Sequence, residues 1–273
     1  MNQTNQDQPY RLAFVDLDDT LFGPDKQISP DNLGALARLR GAGVQIAFAS
    51  GRHHFNITSL ERVAARDWVL SSNGSMVRHQ ATGEVLSELT IPRDLAAHLF
   101  QRSRELGLTL LAYNREGAYV EQESDWTTLY ARGAGWQPQR VDFSTLPPDG
   151  FLKVLWSDHP ARIAQLAPAM QAEFAGRLNV LITNPELLEF FSPTANKAAG
   201  AQALISRLGL APAQTLAFGD GNNDVELLQW AGLSVAMHHG RPAAHRAARF
   251  VSPPGPPESA FARAVDLALT TAK

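Results

Sequence analysis

The sequence predicts an α/β protein, a doubly wound parallel sheet interrupted by an inserted α+β domain. Three observations predict it. Short apolar runs alternate with helix-like segments as far as Ser72. Paired short strands around turn residues replace that alternation in the middle of the chain. The alternation returns after Pro193. A strand–helix–strand order builds a parallel sheet covered by helices, and strands paired through tight turns build an antiparallel one.

Each element follows from its residues. Arg11–Asp16 contains Leu-Ala-Phe-Val, the apolar run of a buried strand. Pro30 opens a helix with Leu33, Leu36 and Leu39, stopped by Gly41 and Gly43. Val44–Ala49 is a second strand, a helix runs to about Ala65, and Trp68–Ser71 is a third strand. Asn73-Gly74 and Thr82-Gly83 are turns between short strands. Pro92–Leu106 reads as a helix, and Leu108–Tyr113 and Ala118–Gln122 form a hairpin around Asn114–Gly117. A helix begins near Asp125, and Phe151–Trp156 is a strand. Ala161–Phe174 is a helix with Ile163, Leu166, Met170 and Phe174 on one stripe, and Pro168 inside it predicts a kink. Leu178–Thr183 and Leu187–Phe191 form a hairpin around Asn184-Pro185. Then Ala201, Leu204, Ile205 and Leu208 repeat at helical spacing up to Gly209. Thr215–Phe218 is a strand, Asp224–Trp230 a helix, and Leu233–Met237 a strand. A short helix, a strand at Phe250–Val251 and a helix from about Glu258 complete the chain. The expected division is a core of residues 10–82 and 192–273, with an inserted domain over 83–191.

Composition narrows the function. The chain has 273 residues, 44% hydrophobic and 19% charged, enough for a real core. It has no cysteine, which excludes disulfides, a thiol nucleophile, a thiolate zinc site and an iron–sulfur cluster. The net charge of −3 lacks the basic excess of a nucleic-acid binder. The polar start, MNQTNQDQPY, is not a signal peptide, and no run approaches a membrane span. The expectation from composition is a globular cytoplasmic protein with no nucleic-acid or membrane partner, and an oligomeric state that the sequence does not specify.

Four constellations can carry chemistry. Asp16-Leu17-Asp18-Asp19-Thr20-Leu21 follows the first strand, and open parallel sheets bind ligands at the carboxyl ends of their strands. A carboxylate nucleophile with a second carboxylate as acid and base is one reading; an acidic turn capping a helix is the other. Gly219-Asp220-Gly221-Asn222-Asn223-Asp224 follows a later strand. Asp220 and Asp224 suit a hard cation such as Mg²⁺; a dinucleotide fingerprint is disfavoured because Asp224 stands where its third glycine belongs, and a polar loop with a helix cap is the plainer reading. Ser50-Gly51-Arg52 offers a hydroxyl, a bare backbone and a helix start to an anion, or is simply a Ser cap. Lys197 opens a helix after Asn196, where a cation is disfavoured without anionic partners; a solvated surface lysine is the alternative. The pairs His53-His54 and His238-His239 lack metal-motif spacing and read as surface or packing residues.

In this order, at strand ends, the four resemble the motifs of the haloacid dehalogenase superfamily of phosphohydrolases. The insert between the second and third motifs, the Ser72-Asn73-Gly74 turn and Leu208-Gly209-Leu210 resemble its Cof-type subfamily, with a Rossmann-like core and a large α/β cap. The chain departs from the family's habit at Ala198, often glycine, and at Asp19, where glycine is the commoner choice. The resemblance implies two-step phosphoryl transfer. Asp16 is the nucleophile and Asp18 the acid and base. Ser50, Gly51, Lys197 and Asn223 hold the phosphoryl group. Mg²⁺ is held by Asp16, the backbone carbonyl of Asp18 and Asp220, with Asp224 behind a ligand water. It leaves open a sugar phosphomutase on the same scaffold, a non-enzymatic phosphoryl-accepting signalling protein, and a binding module without turnover. The substrate class stays at sugar phosphates, phosphorylated cofactors and nucleotides, with contacts expected at Asn114–Gly117 and Asn184–Glu186.

Overall fold

The computed structural model describes residues 9–60, 63, 67–128 and 137–271. Strand β1 (Leu12–Val15) is apolar at every position and fully buried. Beyond Asp16 the chain tightens into a π-type turn, Leu17–Leu21, with Asp19 left-handed at φ 58°. Helix α1 (Pro30–Gly41) starts at Ser29, whose hydroxyl accepts the Asn32 N–H at 3.2 Å, and Pro30 opens its first turn. β2 (Gln45–Ala49) is followed by a 3₁₀ segment, His54–Leu60, where a longer helix is predicted. Its His, Asn, Ile and Thr residues are weak helix formers; the remainder of that predicted helix, to Ala65, falls mostly outside the described residues. β3 (Trp68–Ser71) ends the parallel run, β4 (Met76–His79) turns back antiparallel to β3, and β5 (Val85–Glu88) lies beside β4.

The insert contains α2 (Arg93–Glu105), β6 (Thr109–Tyr113), β7 (Ala118–Val120) and β8 (Gln139–Arg140). Then come β9 (Lys153–Ser157), α3 (Pro160–Glu173), β10 (Asn179–Asn184) and β11 (Leu187–Phe191). Its sheet runs β10-β11-β9-β6-β7-β8. Leu95, Leu99 and Phe100 of α2 and Ile163 and Met170 of α3 pack on Ala112, Trp156 and Phe190 of one sheet face. The alternate positions Leu111, Tyr113, Leu155 and Leu187 cluster separately, as the period of two requires. Pro168 sits inside an unbroken α3. Pro168 offers no N–H to the Ala164 carbonyl, and both residues are exposed, so that carbonyl is left on the solvent side of the helix. Of the helix predicted near Asp125, residues 129–136 lie outside the described residues.

The chain returns through α4 (Lys197–Leu208), closed by left-handed Gly209 at φ 67°. β12 (Thr215–Gly219), α5 (Val225–Trp230), β13 (Leu233–Ala236), α6 (Pro242–Ala247), β14 (Phe250–Val251) and α7 (Ala260–Thr271) follow. The sheet order is β14-β13-β12-β1-β2-β3-β4-β5, parallel from β14 to β3. The chain leaves β1 toward β2 and β3 on one side and returns to β12, β13 and β14 on the other. The topological switch point therefore lies between β1 and β12, where such sheets bind ligands. Val15 is level with both Phe48 and Phe218, so Asp16, Ser50 and Asp220 leave their strands at one end.

The described residues divide into two units. One draws on Met1–Arg52, Leu60–Ser87 and Asn196–Lys273, the other on His53–Ser59 and Glu88–Ala195. These bounds differ at the junctions from the expected 10–82, 83–191 and 192–273. β5 stays with the first sheet because it pairs with β4. Residues 192–195 go with the insert, where the Asn179 amide donates to the carbonyls of Ser192 and Ala195 at 3.0 and 3.2 Å. His53 joins it through Nε2, which donates to the Asn114 carbonyl at 2.9 Å. Among the described residues, no helix is long and apolar enough to cross a membrane.

Candidate active site

Asp16 follows β1 in extended conformation, and its carboxylate is buried. Lys197, the first residue of α4, is fully buried rather than solvated, and its Nζ donates to Asp16 Oδ1 and Asp224 Oδ1, each at 2.5 Å. Asn196 caps the helix by accepting the Ala199 N–H at 2.8 Å. The lysine at this positive helix end is thus compensated by two carboxylates. Asp224 also acts as the loop brace that its sequence position suggests: its Oδ2 accepts the N–H groups of Asp220 and Gly221 at 3.0 and 2.8 Å. Gly219 is required there, because a Cβ would stand 2.5 Å from Asp224 Cγ. Asp220 Oδ1 accepts the Thr20 hydroxyl at 2.9 Å, across the switch point.

These acids are short of positive charge. Burial and then Asp224 push the Asp16 carboxyl well up, against the opposing pull of Lys197. Burial and Asp224 push Asp220 up to about 6, with the Thr20 hydroxyl opposing. In Lys197 burial favours the neutral amine, but Asp16 and Asp224 outweigh it and hold the ammonium above its usual range.

Asp18 points into a different environment. Arg52 grips it with both arms of its fork, Nε to Oδ2 at 2.7 Å and Nη2 to Oδ1 at 2.6 Å, and Lys26 Nζ lies 3.3 Å from Oδ1. Burial would raise this carboxyl, but Arg52 and then Lys26 outweigh it and hold it below the usual range. Ser50 is buried, and its Oγ accepts the Arg52 N–H at 3.1 Å. Asn223 Nδ2 donates to Asn73 Oδ1 at 2.9 Å.

A family profile described as haloacid dehalogenase-like hydrolase matches residues 13–259. The chain belongs to the haloacid dehalogenase-like hydrolases. It is a phosphatase of the Cof type in that superfamily. The chain is similar to the HMP-PP phosphatase of Cronobacter sakazakii, at 30% identity over 235 residues and 85% of each chain. The HMP-PP phosphatase of Serratia proteamaculans is 28% identical over 235 residues, again covering 85% of each. A solved haloacid dehalogenase-like hydrolase from Bacteroides thetaiotaomicron superposes with a TM-score of 0.85 at 25% identity, covering 95% of this chain and 99% of that one.

In this phosphatase, Asp16, Asp220 and Asp224 each offer an oxygen within 4.8 Å of the others, an arrangement that could hold a metal ion. Asp16 gives Oδ1 to Lys197 and Asp220 gives Oδ1 to Thr20, which leaves each carboxylate a second oxygen for a cation. An all-oxygen, charge-deficient set fits a hard divalent cation. The Asp18 side chain is not in the cluster, and neither histidine pair joins it. His53 and His54 are buried packing residues, and His239 is exposed. In the insert, Asn114 Oδ1 is taken up by the Glu116 and Gly117 N–H groups at 2.9 and 3.0 Å, and Arg115 pairs with Glu88. Sequence reasoning missed Lys26, and named Thr20, Asn73 and Arg52 within motifs without giving any of them a role of its own. Asn73 was within reach, since it follows β3 at the ligand-binding end of the sheet. Nothing local marks Lys26.

Proposed function

We propose that this phosphatase cleaves a small phosphate monoester, a sugar phosphate or phosphorylated cofactor, through an aspartyl phosphate on Asp16, with Mg²⁺ as its cation. The observation that carries the reading is the buried Lys197 ammonium bridging Asp16 and Asp224, in a cluster with Asp220. The Asp16 carboxylate attacks phosphorus, and the ester P–O bond breaks. Asp18, protonated once Arg52 releases it, gives its proton to the departing oxygen. It then takes a proton from the water that attacks the phosphoenzyme, which releases inorganic phosphate and restores Asp16. The Ser50 hydroxyl, the Gly51 N–H, Lys197 and the Asn223 amide are donors for the phosphoryl oxygens, whose charge peaks in the transition state. Asp16, the Asp18 carbonyl, Asp220 and Asp224 would hold Mg²⁺, which when bound neutralises the carboxylates and the phosphate dianion. The inserted unit is assigned the choice of substrate.

The test is phosphate release from a panel of monoesters with Mg²⁺ and with excess chelator. The activity of its relatives places HMP-PP on that panel beside sugar phosphates and an aryl phosphate. Mg²⁺-dependent release of inorganic phosphate is expected. Full activity in chelator contradicts the cation, and transfer between sugars without net release contradicts hydrolysis.

A further inference from the structure

The turn after β3 has a conformation that its sequence adopts only at a cost. Ser72, Asn73 and Gly74 are all left-handed, with φ of 49°, 55° and 83°. Serine is strained there, asparagine tolerates it, and glycine adopts it freely. Strain of this kind persists only where surrounding structure imposes it. Here the turn touches three of the loops that carry the site. The Asn73 N–H donates to the Ser50 carbonyl at 3.0 Å, and the Ser72 N–H to the Arg52 carbonyl at 2.8 Å. Gly74 lies against the start of α4, where a Cβ would stand 2.3 Å from the Asn196 carbonyl oxygen. The Asn73 side chain, 6% exposed, accepts from Asn223 Nδ2.

We infer that Asn73 is a positioning residue of the phosphatase, which orients the Asn223 amide toward the phosphoryl group. The inference rests on the proposed phosphoryl-holding role of Asn223. An amide has an oxygen end and a nitrogen end of nearly equal shape, and only the nitrogen donates. By accepting one Nδ2 hydrogen, Asn73 Oδ1 fixes which end stands where and leaves the second hydrogen for a phosphoryl oxygen. Without it the Asn223 amide rotates, and an acceptor oxygen facing an anion repels it. The left-handed turn sets Asn73 at the depth from which its short side chain reaches Asn223.

Asn73→Gly separates this role from a purely conformational one, because glycine keeps the left-handed turn at no steric cost and removes only the side chain. Asn73→Gly, Asn223→Ala and the double variant are compared in steady-state hydrolysis of an aryl phosphate with Mg²⁺. Inhibition by inorganic phosphate and the melting temperature are measured alongside. Removing a fixed transition-state donor lowers kcat about 10²–10³-fold, and misdirecting one loses part of that. Asn73→Gly is therefore expected to lower kcat about tenfold or more, to weaken phosphate inhibition, and to leave the melting temperature within a few degrees. The double variant is expected to lose no more than Asn223→Ala alone. Near wild-type kcat in Asn73→Gly, or losses that multiply in the double variant, overturn the inference. Full activity in Asn223→Ala overturns the proposed role of Asn223 itself, and this inference with it.

Discussion

Asp18 is held by Arg52 through two hydrogen bonds and flanked by Lys26, while Asp16, two residues earlier, is buried against Lys197. Two acids of one motif thus stand in opposite environments: burial and Asp224 raise Asp16, while Arg52 and Lys26 keep Asp18 ionised, so the proposed roles need a cation beside Asp16 and release of Asp18 from Arg52. The carboxylates were legible in the sequence because acids directly after apolar strands are costly without partners. The fork of Arg52 on Asp18 was not, since no periodicity reports a contact 34 residues apart. Asp18→Asn is expected to lose ~10²–10⁴-fold on an alkyl phosphate, the usual worth of acid–base help. On an activated aryl phosphate the first step should lose much less, and phosphoenzyme should accumulate because the second step still lacks its base. Single-turnover kinetics on both esters decide it; equal losses without accumulation return Asp18 to a structural role.

At the scale of elements, the ends of β1 and β12 bring Asp16, Asp220 and Asp224 together, and Gly219 permits the approach. Gly219→Ala is expected to destabilise the protein by about 1–3 kcal/mol, the usual cost of overpacking, and to weaken Mg²⁺ activation by displacing Asp224. A melting curve and a Mg²⁺ titration equal to wild type contradict that. The same cluster predicts a pH dependence. Asp220 at about 6 lies above an unfolded carboxylate near ~3.9. Its stabilisation of the metal-free protein is therefore complete below about pH 4 and is lost as pH rises through 6; Asp16 is shifted in the same direction. Metal-free wild type should lose more melting temperature between pH 4 and 7.5 than Asp220→Asn, and Mg²⁺ should raise the wild-type value more at pH 7.5 than at pH 5. Identical pH profiles for wild type and variant, with equal Mg²⁺ effects at both pH values, count against it. The strands around this cluster were legible as apolar runs. β8 was not, because Gln139–Arg140 is two exposed polar residues whose strand shows in its pairing with β7.

For the whole molecule, the doubly wound core was legible because alternation of strand and helix survives on both sides of the insert, and parallel order then fixes which ends converge. The exact division was not. Residues 53–59 belong with the insert through the His53 bond to Asn114, a tertiary contact with no trace in local pattern. The turn at Asn73 was legible and stands at the ligand-binding end of the sheet, but its bond to Asn223, 150 residues away, was not. The substrate lies beyond this logic, because strand-end geometry specifies the phosphoryl chemistry and not the leaving group. The central claim is a covalent phosphoryl group on Asp16. Its most direct test is an acid quench of wild type and Asp16→Asn during turnover of a phosphate ester labelled in its phosphoryl group, with Mg²⁺. The account predicts acid-stable, protein-bound label in wild type within the first turnover and none in Asp16→Asn, which should also release no phosphate. Equal labelling of both proteins, or release of phosphate by Asp16→Asn at the wild-type rate, would contradict it.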